Sequence, residues 1–192
     1  MGKWEKRTYK KSQCILFNSY IERYEVFSNM HRCRLKVGKW TFNSSEHLFQ
    51  CLLFSDYPSQ QKILYSAYSP QEAKRISKYS RTDVGLTTDY GKEIMLMRFC
   101  LRVKYLQCEE FRKALDQSVL DLVEYAWWGD DWWGAVDVDK ELKEDLLEGE
   151  VSGRNACGRL MMGVRDEAKK GNFPKLIIVP NIGLKMDGKP LV

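Results

Sequence analysis

Asn43-Ser44-Ser45-Glu46-His47-Leu48-Phe49-Gln50 is the stretch on which the fold turns. Asn43 has the chemistry of a helix N-cap, a short polar side chain able to accept from the first free N–H groups, and Glu46 follows three residues on. Leu48, Phe49 and Leu52 then share one helical face, so the stretch opens a helix whose apolar stripe enters the core. Just upstream, residues 34–42 alternate apolar with polar and break at Gly38, the pattern of a small hairpin. Short buried segments are expected at Ile15-Leu16-Phe17 and Val26-Phe27.

Downstream, helices are predicted at about 59–67, 70–78, 90–107, 109–116 and 155–170. The third of these is apolar nearly all round, through Ile94, Met97, Leu101 and Tyr105, which suits a central helix. Val119 to Tyr125 reads as a strand leading into a tryptophan cluster, Leu176 to Pro180 as a further strand, and Asp187-Gly188 as a turn. The expected architecture is α+β, a helix-dominated single domain with a small sheet.

A chain of 192 residues with 44% hydrophobic composition can bury a substantial core. No apolar run is long enough to cross a bilayer, and the first residues lack the apolar region of a secretory signal, so the expectation is a cytoplasmic protein without a membrane partner. Met1-Gly2 superficially invites myristoylation, but Lys6 stands where Ser or Thr is needed. The six cysteines contain no C-x-x-C pair and only two histidines accompany them, so no metal site is expected and the thiols read as reduced core residues.

The net charge of +5 is unevenly distributed. Residues 1–12 are rich in Lys and Arg and read as a basic flexible arm, whereas residues 135–152 form an acidic insertion. Within that insertion Val138, Leu142 and Leu146 have the spacing of an amphipathic helix; a calcium loop fits poorly, because Leu142 occupies the position that needs Gly. The domain proper is expected over 13–172, with 173–192 as a C-terminal extension packing on it. A basic body suits a polyanion such as a pyrophosphate or nucleic acid, or is simply a solvated surface.

Several residues have the chemistry of a ribosyl-binding, bond-cleaving pocket. Glu46 and Asp130 are carboxylates able to exchange protons at a glycosidic bond, although Glu46 could equally act as a helix cap. Trp127, Trp128, Trp132 and Trp133 are too many for one short loop to bury, so at least one is expected to face a ligand. Asn155 and Gly158 open the last predicted helix, and Asn155 is either its cap or a ribose and phosphate ligand.

In order along the chain, Phe27-Ser28-Asn29, Ser45-Glu46-His47-x-Phe49-Gln50, Pro70-x-x-Ala73-Lys74, Met97, Lys104, Trp133-Gly134 and Gly153-x-Asn155-x-x-Gly158-x-x-Met161-x-x-x-Arg165 resemble the NADAR family over roughly residues 15–170. The resemblance implies an N-glycosidase fold and activity without a cofactor. It also implies Glu46 and Asp130 as catalytic acids, with Phe27, Ser28, Asn29, His47, Gln50, Trp133, Gly134, Asn155 and Gly158 around the ligand. Family members commonly carry Lys where this chain has Leu53, and Lys104 is the substitute amine if the chemistry requires one.

The activity so implied is hydrolysis of a ribosyl C1′–nitrogen bond. The first expectation for the substrate is ADP-ribose on guanine in nucleic acid, and the alternative is a phosphoribosyl-aminopyrimidine intermediate of riboflavin synthesis. A module that binds ADP-ribose or a nucleotide without cleaving it, and an interaction protein docking through the acidic insertion, are the non-enzymatic alternatives.

Overall fold

The computed structural model describes residues 4–142 and 145–191. In chain order the elements are β1 (Arg7–Lys10), β2 (Cys14–Phe17), β3 (Leu35–Val37), β4 (Trp40–Phe42), α1 (Ser45–Leu53), α2 (Pro58–Tyr65), α3 (Pro70–Asp83), α4 (Tyr90–Gln107), α5 (Glu109–Gln117), β5 (Asp121–Glu124), β6 (Val136–Asp137), β7 (Glu150–Gly153), α6 (Ala156–Lys169), β8 (Lys185–Met186) and β9 (Lys189–Pro190). The fold is α+β with helices dominant. Two compact units share these elements. One comprises the chain up to Ser28 with Lys113–Asn172, and the other comprises Asn29–Arg112 with the chain from Phe173 on.

In the first unit β1, β7 and β6 form an antiparallel sheet in that order, with Arg7 opposite Gly153 and Val136 opposite Ser152. β2 pairs in parallel with β5, from Cys14 opposite Asp121 to Phe17 opposite Glu124. Tyr9, Leu16, Val123, Tyr125, Ala135 and Val151 form a common apolar cluster. α6 packs on β5. Its buried Ala156, Cys157, Leu160, Met161 and Val164 recur at helical spacing, which makes one continuous apolar stripe.

Three expectations are corrected in this unit. The basic segment is not a flexible arm over its described part: residues 7–10 are a paired strand, and Lys11 is buried. The Lys11 ammonium sits 2.6 Å from Asp137, which neutralises it, and donates to the carbonyls of Leu142 and Asp145. Residues 1–3 lie outside the described residues, and the myristoylation reading of Met1-Gly2 with them.

The insertion is not an amphipathic helix. It enters as β6, leaves as β7, and turns between them, residues 143 and 144 lying outside the described residues. Asp139 and Asp145 accept hydrogen bonds from backbone N–H groups two or three residues on, offering the chain a local alternative to helix. Val138 is 57% and Leu146 39% exposed, so the expected stripe is not buried as one face. The strand at the tryptophan cluster begins only at Asp121, since Val119 is exposed.

In the second unit α1 is buried along its whole length and packs against α2, α3 and α4. Its four polar residues, Ser45, Glu46, His47 and Gln50, are buried with the rest, so each needs a hydrogen-bond partner inside the unit. β3 and β4 form the expected hairpin, turning through Gly38 at φ 57°. α4 contributes Leu96, Met97, Phe99, Cys100, Leu101 and Val103 to the core, in line with its all-round apolar sequence.

Residues 176–180 form no strand among the described residues, Leu176 and Ile178 being exposed. The following β8–β9 hairpin turns at Asp187-Gly188, both at positive φ. Gln61 ties it down: its amide donates to the carbonyls of Cys51 and Lys185 and accepts from the N–H of Asp187. Among the described residues no helix is long and apolar enough to cross a membrane.

Candidate active site

The N-terminus of α1 is held by a set of polar contacts within the second unit. Ser44, rather than Asn43, is the cap: its extended backbone precedes the helix, and its hydroxyl accepts from the N–H of His47 at 3.0 Å. The Ser45 hydroxyl donates to both the carbonyl and the side-chain oxygen of Asn29, and the Glu46 N–H donates to the same carbonyl. Asn29 therefore satisfies donors that the first helical turn leaves open.

Glu46 is then the second helical residue, not the third, and its side chain does not close a capping box. It points along the helix, where Gln50 Nε2, one turn on, donates to Oε1 at 2.7 Å. Glu46 is 5% exposed and Gln50 6%, and the Gln50 side-chain oxygen has no hydrogen-bond partner. Cys100 of α4 lies close enough that, after burial itself, the Glu46 charge is the next cause raising its thiol pKa. The arrangement is a buried carboxylate in one fixed rotamer, with an amide oxygen beside it still able to accept.

His47 faces another way. Its Nδ1 accepts from the Asn43 N–H at 3.3 Å, which leaves Nε2 to donate to the carbonyl of Leu64 at 3.0 Å. Burial lowers its pKa, and the imidazole stacks beside Tyr65 and edge-on to Phe42. With both ring nitrogens bound to backbone, His47 presents only its ring to the surroundings. The ring helps line a shallow groove of about 550 Å³ with Arg32, Arg34, Asn43 and Tyr65. Arg32, Arg34 and Lys36 are exposed while Cys33, Leu35 and Val37 turn inward, so one edge carries a row of cations at two-residue spacing.

The remaining candidates other than Lys104 lie in the first unit. Phe27 is a core ring packed on Phe17 and Tyr24, and Ser28 is buried with its N–H on the carbonyl of Glu25, so Phe27 offers no surface to a ligand. Asn155 is wholly buried in the left-handed region at φ 49°. Its amide donates to the Leu122 carbonyl at 2.8 Å and its oxygen accepts from the Glu124 N–H at 3.1 Å. It is neither a side-chain cap nor a ligand group; it fastens α6 to β5.

The two glycines serve the same packing. A Cβ on Gly158 would lie 2.1 Å from the Leu122 carbonyl oxygen, and one on Gly134 2.5 Å from that of Glu124. Protein backbone, not sugar or phosphate, makes the close approach there.

Asp130 accepts through Oδ1 from the N–H groups of Trp132 and Trp133, which shapes its own loop. Trp133 is half-buried, and Arg154 lies over the ring of Trp132. The more accessible indoles are Trp127 and Trp128, 44% and 46% exposed, with Tyr20 edge-on to Trp127. Tyr20 had no motif to mark it in sequence. Asn18 positions it by accepting from the N–H groups of Tyr20 and Ile21.

Lys104, in the second unit, is fully buried, its ammonium 4.4 Å from the centre of the Phe111 ring. It presents no surface to a substrate, which corrects its reading as a catalytic amine. Leu53 is a buried core residue at the end of α1.

The model of the NADAR domain family matches residues 9–169. A riboflavin biosynthesis protein of Vibrio vulnificus is 29% identical over 167 residues, which is 82% of this chain and 39% of that protein, so the chain spans about two fifths of its length. The N-glycosidase YbiA of Escherichia coli is 30% identical over 158 residues, covering 80% of this chain and 87% of the relative. The NMR structure of E. coli YbiA matches with a TM-score of 0.62 at 26% identity, over 84% of this chain and 92% of that one.

Proposed function

This chain belongs to the NADAR family, and on that premise we propose that it is an N-glycosidase in which Glu46 exchanges the proton needed to cleave a ribosyl C1′–nitrogen bond. The observation that carries the reading is the buried Glu46–Gln50 pair at the start of α1. Breaking a C1′–N bond leaves positive character on the sugar and negative charge on the departing nitrogen. A fixed carboxylate can protonate that nitrogen or take a proton from the incoming water, and its negative form stabilises the sugar cation. Gln50 holds one carboxylate oxygen, leaving the other for the proton, and its own free oxygen suits a ribose hydroxyl.

For the substrate, likeness to a protein named for riboflavin biosynthesis and to a named N-glycosidase supports a small phosphoribosyl-aminopyrimidine. A second reading, ADP-ribose on guanine in nucleic acid, is favoured by the exposed row of Arg32, Arg34 and Lys36. Of the basic N-terminal segment, Lys6 pairs with Asp131 and Lys11 is buried, while Arg7 and Lys10 are exposed.

The test is to incubate the protein with each substrate separately and identify the released base by mass spectrometry. Glu46→Gln should lower turnover by about 10²- to 10⁴-fold while leaving binding within roughly tenfold, because the amide keeps the shape and cannot exchange the proton. Full activity in that variant refutes the role of Glu46. Release from neither substrate by the parent protein, with tight binding of both, replaces the enzyme with a binding module.

A further inference from the structure

Away from Glu46, the second unit brings together four groups that the glycosidase reading leaves unused: Cys33, Cys108, His31 and Lys104. Cys108 links α4 to α5. Its carbonyl accepts the first hydrogen bond of α5, from the Arg112 N–H at 3.0 Å, which makes it the N-cap of that nine-residue helix. Its sulfur accepts from the Phe111 N–H, from His31 and from the thiol of Cys33. Cys33 is fixed in turn by its own N–H on the carbonyl of Asn43 at 3.0 Å. His31 Nε2 stands 3.5 Å from a carboxylate oxygen of Glu110, and the buried Lys104 ammonium acts on both sulfurs.

We propose that Cys33 and Cys108 form a two-thiol modification site, in which Cys108 is the nucleophile toward hydroperoxides and Cys33 resolves it to an intramolecular disulfide. A helix N-terminus, a facing N–H and nearby cationic groups are the surroundings that favour a thiolate. The Cys33 hydrogen bond foremost, then those from His31 and Phe111, holds the Cys108 thiol well below the ordinary cysteine range, while Cys33, as donor, is pushed up. The contrast with Cys14, Cys51 and Cys100 is direct: burial raises those thiols, and at most one backbone hydrogen bond, at Cys100, opposes it.

The chemistry balances as follows. The Cys108 thiolate attacks one peroxide oxygen; the S–O bond forms, the O–O bond breaks, and the departing oxygen leaves as water or an alcohol after taking a proton. The sulfur is thereby oxidised by two electrons to a sulfenic acid, and the hydroperoxide is reduced by two. Cys33 then loses its proton and attacks that sulfur, so the S–S bond forms, the S–O bond breaks, and a second water leaves. Cys108 is 7% exposed, so a small peroxide fits the site and a bulky disulfide does not. Access is from the side of Cys33, which borders the shallow groove.

Treating the whole protein with stoichiometric hydrogen peroxide at neutral pH, then alkylating and mapping peptides, should give one crosslink, Cys33 to Cys108, reversed by dithiothreitol. In Cys33→Ser, dimedone should label Cys108 roughly tenfold faster than Cys14. Cys108→Ser should abolish both crosslink and label. Oxidation that starts at Cys14, or a peptide map of the parent protein without the 33–108 link, overturns the proposal; the parent map decides the pairing even if a variant misfolds.

Discussion

Asn155→Ala should destabilise the protein by about 3–7 kcal/mol, a figure that follows from what the side chain holds. The residue is wholly buried, and its amide engages the carbonyl of Leu122 and the N–H of Glu124 on β5. Removing it strands both backbone groups away from water, at about 1–3 kcal/mol each. Alanine must also hold φ 49°, ψ 45°, which costs roughly a further 1 kcal/mol. Against a typical stability of about 5–15 kcal/mol, the loss is large. Asn155→Gly should recover only the backbone part, about 1 kcal/mol. Urea unfolding followed by far-ultraviolet circular dichroism measures both variants, alongside ligand affinity where the variant is folded. If Asn155→Ala unfolds within about 1 kcal/mol of the parent while its ligand affinity drops, the amide is a ligand group after all and the reasoning fails.

His47→Phe should cost about 1–3 kcal/mol at pH 8, since the Asn43 N–H loses its partner while the Leu64 carbonyl keeps the Ala67 N–H. It should also flatten the acid side of the stability curve. The native imidazole has a lowered pKa, so its contribution is full above the unfolded value of about 6.5 and declines as pH falls from there toward the native value; a variant with an unchanged acid limb shows that His47 does not set it. Replacing Arg32 and Arg34 together by Ala should reduce the salt dependence of oligonucleotide binding by about 1–2 units of slope and leave turnover of a small phosphoribosyl substrate unaltered; an unchanged slope removes the nucleic-acid reading of that edge. Borohydride added during turnover should trap no adduct on Lys104, and a Lys104-linked sugar in the peptide map would mean the second unit opens during catalysis.

The second unit was largely legible in the sequence, because its signals are local. The apolar stripe of α1, the all-round apolar α4, the hairpin break at Gly38 and the Asp187-Gly188 turn each follow from a few neighbouring residues. The first unit was not, because long-range pairing decides it. Nothing near Lys11 announces that its ammonium is buried against Asp137, and this contact turns an apparent arm into a strand and an apparent helix into the β6–β7 excursion. The site residues divide the same way. Glu46 and Gln50 sit one turn apart on one helix, so sequence alone could pair them. Asn155, Gly134 and Gly158 looked like ligand residues because small and amide side chains serve close approach in general, and only the structure gives the identity of what approaches: the backbone of β5.

That division bears on the route of the proposed reaction. An amine can attack C1′ only if it reaches the sugar, and the two positions from which one was expected both face inward. Leu53 is apolar and buried at the end of α1, where a lysine would have to bury its charge or draw the helix end toward solvent. Lys104 has its ammonium against Phe111, beside the two thiols, with no exposed surface. Water must reach the sugar too, but it is not tethered to a buried side chain. It is small enough to approach a buried carboxylate, and Glu46, held by Gln50, is a side chain able to accept its proton. Hydrolysis by water, with one helix supplying both the base and the group that orients it, is the route these residues favour.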